Sequence, residues 1–509
     1  MPRIATSLAW PVRASPLTGI VVLAGGFVLG LLLDAWYIQR RRQQSIKRRG
    51  TLDDDSIKLL SGPNGWCGLE IDPQMAKELG LYPEQVVLPV DLDDEKKAQP
   101  DTFHQTTSKP IRIRGPLQRL HAIPPTMWSM YVQGRFVNPF PGWRDKTLYD
   151  FIRWQFTRQS GNALPGNTQE LIKALPVEEP AWHILYPSPK SPETKDMDES
   201  WYMSFSMVND DNKPRPNNNP PAHTTTVAER VTVTWMGQST CYVQLPGLNI
   251  LTDPIFQNRT VTSWLGPKRL RPVPCRLDQL LVDIVLVSHN HYDHLEVDCV
   301  KALGNSVVWF VPLGLRDWFV RMGVYRVVEM DWWQYCDLEI EPNSDYFYRI
   351  CATPSQHWSG RTLLDSNRSL WSSWFVRRLH RTADPTDGQA PSVDRGSFFH
   401  CGDTGYYAPL FQMVRDQLGP VTLAALPIGS YAPRWYMCHQ HINPADAVLI
   451  HRDLGARRSV GVHWATFMMS DEPYLAPAQD LYDALTECDM DPTHFVTTRL
   501  GQTMVVDIS

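Results

Sequence analysis

Four potential metal ligands lie within six positions of one short segment of the sequence. The segment SHNHYDHLE (288–296) contains His289, His291, Asp293 and His294, directly after an apolar, β-branched run. Imidazole nitrogens and carboxylate oxygens are ligands that zinc accepts. A solvated turn would not need three imidazoles. We therefore predict a metal site in a loop at the carboxyl end of a buried strand, where α/β folds place their ligands.

Three later residues are candidates for completing this site. His357, Asp403 and His463 each lie at or just beyond the end of an apolar run that predicts a strand. Each of them alone would be as compatible with an ordinary polar loop residue as with a ligand. One HxHxDH motif cannot fill two metal sites, so further ligands are expected at the ends of later strands.

The elements around these residues indicate an α/β fold. Short β runs separated by Gly and Pro turns occupy residues 231–254, and strands then alternate with helix candidates, such as 444–455 with Pro at its first turn and Gly at its end. This order predicts a domain with layered sheets. Upstream, 134–156 ends in a predicted helix whose Leu148, Phe151, Ile152 and Phe156 are spaced for one apolar face. The predicted strands and helices of this domain must position the candidate ligands.

Together these strings resemble a known family. They are TDPIF (252–256), GPKRLRPVPC (266–275), SHNHYDHL (288–295), WFVPLGL (309–315), PSQHW (354–358), GDTGY (402–406), LPIGSYAPRW (426–435), QHINPADAV (440–448) and VHWATF (462–467). The chain resembles the N-acyl-phosphatidylethanolamine-hydrolysing phospholipase D family of the metallo-β-lactamase superfamily. The resemblance covers about 134–156 and 231–508. It implies a metallo-β-lactamase fold, an αββα sandwich of two mixed β-sheets flanked by helices.

The resemblance also implies two Zn²⁺ ions per chain. One zinc site would consist of His289, His291 and His357, and the other of Asp293, His294 and His463, with Asp403 bridging the two.

Other residues of the pattern receive supporting or catalytic roles. Gly237 and Asp253 match supporting positions in early strands. Asp293 and His441 are predicted to be catalytic, and Gln440 and His441 to bind substrate. A polar helix-capping role for His441 is the alternative.

The implied reaction is hydrolysis of N-acyl-phosphatidylethanolamine to N-acylethanolamine and phosphatidic acid. Two zinc ions ~3.5–4 Å apart can generate a nucleophile from water and neutralise charge on a phosphate. The chain has no GxSxG motif, and no histidine is followed two positions later by Lys, so a serine elbow and the HxK type of phospholipase D are disfavoured. The alternatives are another phosphodiester or lactone substrate for the same site, and a non-enzymatic scaffold.

The N-terminus differs from the rest of the chain. Residues 14–33 carry no charge, and as a helix they would span roughly 30 Å. Six Lys and Arg residues follow within 40–49. We predict a targeting sequence or transmembrane anchor over 1–49; a cleaved secretory signal and a soluble hairpin helix are alternatives. The acid-free first 33 residues are compatible with a mitochondrial presequence, so a mitochondrial inner membrane is favoured over an endomembrane with the catalytic domain in the cytosol.

The remaining organisation follows from composition. We predict a largely irregular tether over 50–133, an N-terminal extension packing on the core over 134–229 with a disordered 207–226 loop, and a catalytic domain over 230–509. A second loop is expected over 380–396.

The expected partner is a membrane phospholipid. The basic segment 254–277, which contains Trp264 and Leu265 but no acid before Asp278, is a candidate membrane contact; a solvated loop is the alternative. A net charge of −5 speaks against nucleic acid. A homodimer is left open.

Overall fold

The computed structural model describes residues 16–52, 73–81, 111–120, 122–158, 164–186, 230–340, 344–362, 364–381 and 396–508. The helices are α1 (Pro16–Arg49), α2 (Pro73–Leu79), α3 (Leu148–Thr157), α4 (Thr168–Ala174), α5 (Trp182–Leu185), α6 (Val297–Leu303), α7 (Arg316–Arg321), α8 (Ala408–Leu418), α9 (Arg434–Met437), α10 (Pro444–Asp453) and α11 (Ala476–Glu487). The strands are β1 (Arg112–Arg119), β2 (Met130–Val132), β3 (Arg135–Val137), β4 (Arg230–Gly237), β5 (Thr240–Leu245), β6 (Leu248–Thr252), β7 (Ile284–Leu286), β8 (Val308–Pro312), β9 (Val327–Met330), β10 (Gln334–Glu339), β11 (Tyr346–Thr353), β12 (Ser373–His380), β13 (Ser397–His400), β14 (Leu423–Pro427), β15 (Arg458–Val462), β16 (Phe495–Val496) and β17 (Thr503–Asp507).

Two mixed sheets carry the fold. The first has the strand order β1-β10-β11-β12-β13-β14-β15-β16, and the second β17-β4-β5-β6-β7-β8-β9. In the first sheet β13 to β16 are parallel to one another, and in the second sheet β6 to β9 are. The remaining pairs in both sheets are antiparallel. The prediction of two mixed sheets is confirmed.

Helices cover the outer face of each sheet. Successive residues of β7 point to opposite layers, as strand geometry requires. Ile284 and Leu286 join the large core between the sheets, whereas Val285 packs in a second core with Val300 of α6 and Phe319 of α7. The same apolar cluster continues beyond the first sheet to buried residues of α8, α10 and α11, and α10 contacts β14 of that sheet. These four layers form the expected αββα sandwich, and the large parallel portions of both sheets direct their carboxyl ends to a common edge.

The described residues of the segment 50–133 are more ordered than predicted. Its residues 112–119 form β1, which pairs antiparallel with β10 at the edge of the first sheet. Arg119 and Asp331 form an ion pair of 2.7 Å in which both side chains are 1% exposed. The expectation of a largely irregular tether is therefore corrected for the described residues. Its polar composition was misleading because β1 is an edge strand, and such strands tolerate charged side chains.

Part of the following segment, 134–229, packs against the main core. Phe136 and Phe140 are fully buried there, and Arg135 Nη1 donates to the carbonyl oxygen of Ser366 at 2.7 Å. The domain boundaries as such stay predictions. The 207–226 loop and most of the 380–396 loop lie outside the described residues.

Helix α1 does not match the predicted transmembrane anchor. Within the part of the chain that the structure describes, no helix combines the length and apolarity needed to cross a bilayer. Most side chains of 14–33 lie outside that part. The prediction of a transmembrane helix is wrong for the described residues. Of the cationic run behind the apolar stretch, Arg42 and Arg49 are buried against main-chain carbonyl oxygens. Arg49 is 2% exposed and donates to five main-chain carbonyl oxygens, those of Leu79, Gly80, Pro125, Trp128 and Ser129.

Candidate metal centre

The predicted ligands converge at the carboxyl ends of β7, β11, β13 and β15. The loop after β7 carries the first four, and the other three follow β11, β13 and β15 by one to four residues. They come together in two groups, whose ligand atoms lie within 4.8 Å of one another in each: His289, His291 and His357; and Asp293, His294, Asp403 and His463. The structure thus brings all seven predicted side chains into one cluster.

The first group consists of three imidazoles that point at one another. His291 Nδ1 lies 2.7 Å from His289 Nε2 and 3.3 Å from His357 Nε2. The outer nitrogen of His357, Nδ1, lies 2.9 Å from the carbonyl oxygen of Gln440, which fixes this ring. Fixing the far nitrogen by a hydrogen bond is the usual way in which a protein orients a metal-binding imidazole.

The second group combines two imidazoles with two carboxylates. Asp293 Oδ2 lies 3.4 Å from His294 Nε2 and 3.3 Å from His463 Nε2. Asp403 faces both imidazoles of this group, with 3.1 Å from Oδ2 to His294 Nε2 and 3.2 Å from Oδ1 to His463 Nε2. This group is richer in oxygen than the first.

Asp403 stands between the two groups. Its Oδ2 is 3.9 Å from His289 Nε2 and 3.7 Å from His357 Nε2, so it faces the first group as well as the second. No other side chain among the described residues of the cluster has ion-pair contacts with both groups. This position fits the bridging role that the sequence predicts.

The protonation states of the first group and of Asp403 suit a bound cation, whereas at His294 and His463 burial is outweighed by the facing carboxylates, which raise the pKa of both, so that these two residues would release their protons on metal binding. Burial alone would raise the pKa of Asp403, but the imidazoles of His294 and His463 outweigh it and hold the pKa well below its ordinary range. Burial lowers the pKa of His291 to about 4 and that of His357 well below its ordinary value. The first group is therefore neutral imidazole and Asp403 is ionised, which are the protonation states that metal binding needs.

The residues fit a pair of metal ions on their hydrogen-bonding chemistry. In the first group, ring nitrogens face one another at 2.7 Å and 3.3 Å, and a single proton can serve only one such pair. In the second group, Nε2 of His294 and Oδ1 of Asp403 are buried without a hydrogen-bond partner. Unsatisfied buried polar atoms are costly. A cation in each group would satisfy the facing nitrogens of the first and these two atoms of the second.

His441 and Gln440 border the cluster. His441 Nδ1 is 3.8 Å from Asp403 Oδ2, and its side chain is 12% exposed, compared with 2% for Asp403. It is thus on the more open side of the site. The helix-capping alternative is set aside, because Asn443 caps α10 with its own side chain. The roles of Asp293, Gln440 and His441 in catalysis and substrate binding stay predictions.

Sequence reasoning missed Gln238. This residue is 1% exposed, and its Nε2 lies 2.7 Å from Asp293 Oδ2 and 2.8 Å from His463 Nε2. The neighbouring Gly237 was singled out, but no spacing rule connects Gln238 to ligands 55 and 225 positions away.

Asp253 supports the cluster through a contact with the outer nitrogen of His294. Its Oδ2 lies 2.8 Å from both His294 Nδ1 and His400 Nε2, and it also accepts the Ser288 hydroxyl at 2.7 Å. The expectation that Asp253 is a supporting residue and not a ligand agrees with this position. His400 was not singled out by the sequence, although it ends the strand that precedes Asp403.

The basic segment 254–277 is only partly a surface patch. Arg269 is 5% exposed and donates to the carbonyl oxygens of Met236 and Ile255, so it serves the fold. Arg276 pairs with Asp278 at 2.5 Å. Trp264 and Leu265 are exposed at 75% and 48%. The segment thus combines an exposed aromatic tip with cations that are partly engaged within the fold, and its contact with a membrane stays a prediction.

Fold and site together define the class of the protein. A family model described as a beta-lactamase superfamily domain matches residues 248–464, which include the ligands from His289 to His463. The chain is a metal-dependent hydrolase of the metallo-β-lactamase superfamily.

Comparison with curated proteins narrows the class. The chain is 34% identical to the mitochondrial N-acyl-phosphatidylethanolamine-hydrolysing phospholipase D of Saccharomyces cerevisiae, over 69% of this chain and 71% of the yeast protein. It is 38% identical to the N-acyl-phosphatidylethanolamine-hydrolysing phospholipase D 1 of Caenorhabditis elegans, over 53% of this chain and 74% of the worm protein. This chain belongs to the N-acyl-phosphatidylethanolamine-hydrolysing phospholipase D family.

Solved structures share the fold more distantly. A metallo hydrolase of Ignicoccus hospitalis, Igni18, aligns with 55% of this chain and all of its own, at 17% identity and a TM-score of 0.38.

Proposed function

We propose that this chain is a membrane-associated phosphodiesterase with two zinc ions, which hydrolyses N-acyl-phosphatidylethanolamine to N-acylethanolamine and phosphatidic acid. The observation that carries the proposal is the buried cluster of five imidazoles and two carboxylates at the strand ends, in a member of this family. Zinc suits a site of nitrogen and oxygen ligands without thiolate.

The two metals would supply a nucleophile from water near neutral pH and neutralise charge on the phosphate. The side chains of the cluster have distinct tasks around that chemistry. Asp403 holds the two ligand groups together, and Gln238 orients Asp293 and His463 by its amide. His441, on the open side of the cluster, would hold or move a proton at Nδ1 as the alcohol leaves, which its 3.8 Å distance from Asp403 supports.

Helix α3 supports association with a membrane surface. Its exposed side chains include five large apolar residues, with exposed fractions between 43% and 88%: Leu148, Tyr149, Phe151, Ile152 and Phe156. Such a concentration on one short helix is unusual for a water-facing surface. Arg153 on the same helix adds a positive charge that could contact anionic headgroups. Its guanidinium lies over the exposed Trp435 ring, 4.4 Å from the centroid.

This apolar surface adjoins the metal centre. Trp154, on the buried side of α3, stacks on Tyr436 of α9 with ring centroids 5.0 Å apart. The chain continues from α9 directly to Gln440 and His441 at the cluster. A lipid reached from this surface would therefore enter the site without crossing the body of the protein. We also propose a mitochondrial location, which the name of the yeast relative supports.

Turnover of purified protein tests the proposal. We expect hydrolysis of N-acyl-phosphatidylethanolamine but little of phosphatidylcholine, with both products identified by mass. In ¹⁸O-labelled water the label should enter the phosphatidic acid, because attack occurs at phosphorus. His357→Ala should lower kcat by orders of magnitude, because loss of a ligand misplaces the reacting groups.

The matched control is His183→Ala, which removes an exposed histidine of α5 and should leave turnover unchanged. Label in the ethanolamide product would indicate attack at carbon. Transfer of the phosphatidyl group to added primary alcohols would indicate a covalent intermediate. Either result would contradict the proposed chemistry.

A further inference from the structure

Lys146 lies at the rim of the site, and within the described part of the chain its amino group is in close contact with two uncharged side chains. It is partly buried between the start of α3 and α9. Its Nζ lies 3.7 Å from the ring centroid of Tyr436 and 3.9 Å from Sδ of Met437. An aromatic face and a thioether are weak partners for an ammonium group compared with a carboxylate.

Within the described ranges of the chain, no carboxylate oxygen lies within 4.0 Å of Lys146 Nζ. The nearby Asp150 is already engaged: Oδ2 accepts the hydroxyl of Thr147 at 2.8 Å and Oδ1 accepts Arg144 at 3.1 Å. Burial lowers the pKa of Lys146 to about 7, and the weaker raising effects of Cys438 and Asp150 do not offset it. Among the described residues, no carboxylate therefore pairs with this charge.

Contacts connect Lys146 to the metal centre in two steps. Met437 Sδ, which contacts Lys146, also lies 3.6 Å from Nε2 of Gln440. The carbonyl oxygen of Gln440 is the atom that fixes the His357 ring. Lys146 is therefore linked by contacts to Gln440, which borders the cluster on its open side.

We propose that Lys146 binds the anionic phosphodiester group of the substrate and holds the lipid headgroup against the metal cluster. The inference rests on the proposed function, which supplies an anionic lipid as substrate. A diester phosphate carries one negative charge on two oxygens, and an ammonium group binds such an oxygen by a charge-assisted hydrogen bond. Lys146 precedes the membrane-facing α3 by two residues, so it would meet the headgroup as the lipid leaves the surface.

Steady-state kinetics on a water-soluble substrate test this assignment without the membrane. The substrate is an N-hexanoyl-phosphatidylethanolamine with two hexanoyl chains. Lys146→Met should raise KM by about tenfold to hundredfold, the range of a hydrogen bond to a charged group. We expect kcat to change less than threefold, because the contact is the same before and during reaction.

Lys146→Arg should restore most of the affinity, because it keeps the charge. Lys173→Met makes the same replacement at an exposed lysine of α4 and should leave both constants unchanged. An unchanged KM for Lys146→Met would overturn the inference. So would a loss of kcat alone, or a loss that Arg fails to rescue while the melting temperature is preserved.

A binding measurement separates this inference from the proposed function. Dihexanoyl phosphatidic acid is titrated calorimetrically into the wild-type protein and into Lys146→Met. If the wild type hydrolyses no N-acyl-phosphatidylethanolamine, the proposed function fails. Lys146 is then judged by the titration: about tenfold weaker binding by the variant supports an anion-binding role, and equal binding overturns it.

Discussion

At the scale of single residues, the candidate metal ligands could be singled out because they lie at or beyond the ends of apolar runs, and the family resemblance grouped them into two sites. Strand ends can be located from local patterns, and the parallel parts of the two sheets bring those ends to one edge. The contact of Gln238 was not predictable in the same way. It depends on a backbone turn with φ of +51° directly after β4, and on a partner, His463, whose φ is +64°. No local sequence pattern indicates that Gln238 and His463 lie in contact.

Gln238 provides a prediction about metal retention. Gln238→Ala removes the amide that contacts Asp293 and His463, so the second ligand group loses part of its orientation. We expect about tenfold to hundredfold weaker metal binding, as is typical when a residue that orients ligands is lost. Competition with a chromophoric chelator measures the affinity. Gln479→Ala, at a partly exposed position of α11 where the amide contacts Asp483, is the control; equal affinities in all three proteins would contradict the role.

At the scale of elements, α3 shows how far periodicity can be trusted. The spacing of Leu148, Phe151, Ile152 and Phe156 correctly predicted a helix. It also indicated one apolar face, which would ordinarily be buried. In the structure that face is exposed, and the helix packs through Trp154 and Asp150. A sequence pattern states which residues share a face, but it does not state whether the face meets protein or lipid.

The exposed face of α3 leads to a prediction about membranes. Replacing Phe151 and Phe156 together by Ser should reduce co-sedimentation with anionic phospholipid vesicles by about tenfold, because two aromatic side chains no longer enter the lipid. Turnover of the short-chain soluble substrate should stay within about twofold of the wild type.

Tyr482→Ser replaces an exposed aromatic residue of α11 and serves as the matched control for this variant. Vesicle binding that survives in the α3 double variant would show that another surface makes the contact, and the exposed Trp264 tip would then be the next surface to test.

At the scale of the whole molecule, the layered sandwich was predictable and the place of the N-terminal third was not. Strand pairing between β1 and β10 joins segments more than 200 residues apart, and an edge strand has little hydrophobic pattern. Likewise, the cationic run after the apolar stretch matched a membrane rule, whereas Arg49 in fact satisfies carbonyl oxygens inside the protein. The sequence shows the positive charge of Arg49, but it does not show which carbonyl oxygens accept its hydrogen bonds.

Metal removal gives a prediction at this scale. Without cations, the cluster leaves ionised carboxylates and facing imidazole nitrogens buried, so the metal-free protein should be less stable. Treatment with a chelator should lower the melting temperature by roughly 5–10 °C, from the stabilisation that a tightly bound ligand gives. Added zinc should restore it. Asp403→Asn should melt at nearly the same temperature with and without chelator; a wild-type protein indifferent to chelator would contradict a resident metal.

The pairing of β1 with β10 has a consequence for shortened forms of this chain. A protein that begins after residue 120 would present the open hydrogen-bonding edge of β10 to solvent, which is a template for strands from other molecules. It would also leave Asp331 as a buried carboxylate without Arg119. We therefore expect β1, although it is far from the metal centre, to keep the sandwich soluble by covering this edge. The shortest form of the chain that stays soluble would be determined by β1 and not by the catalytic motifs.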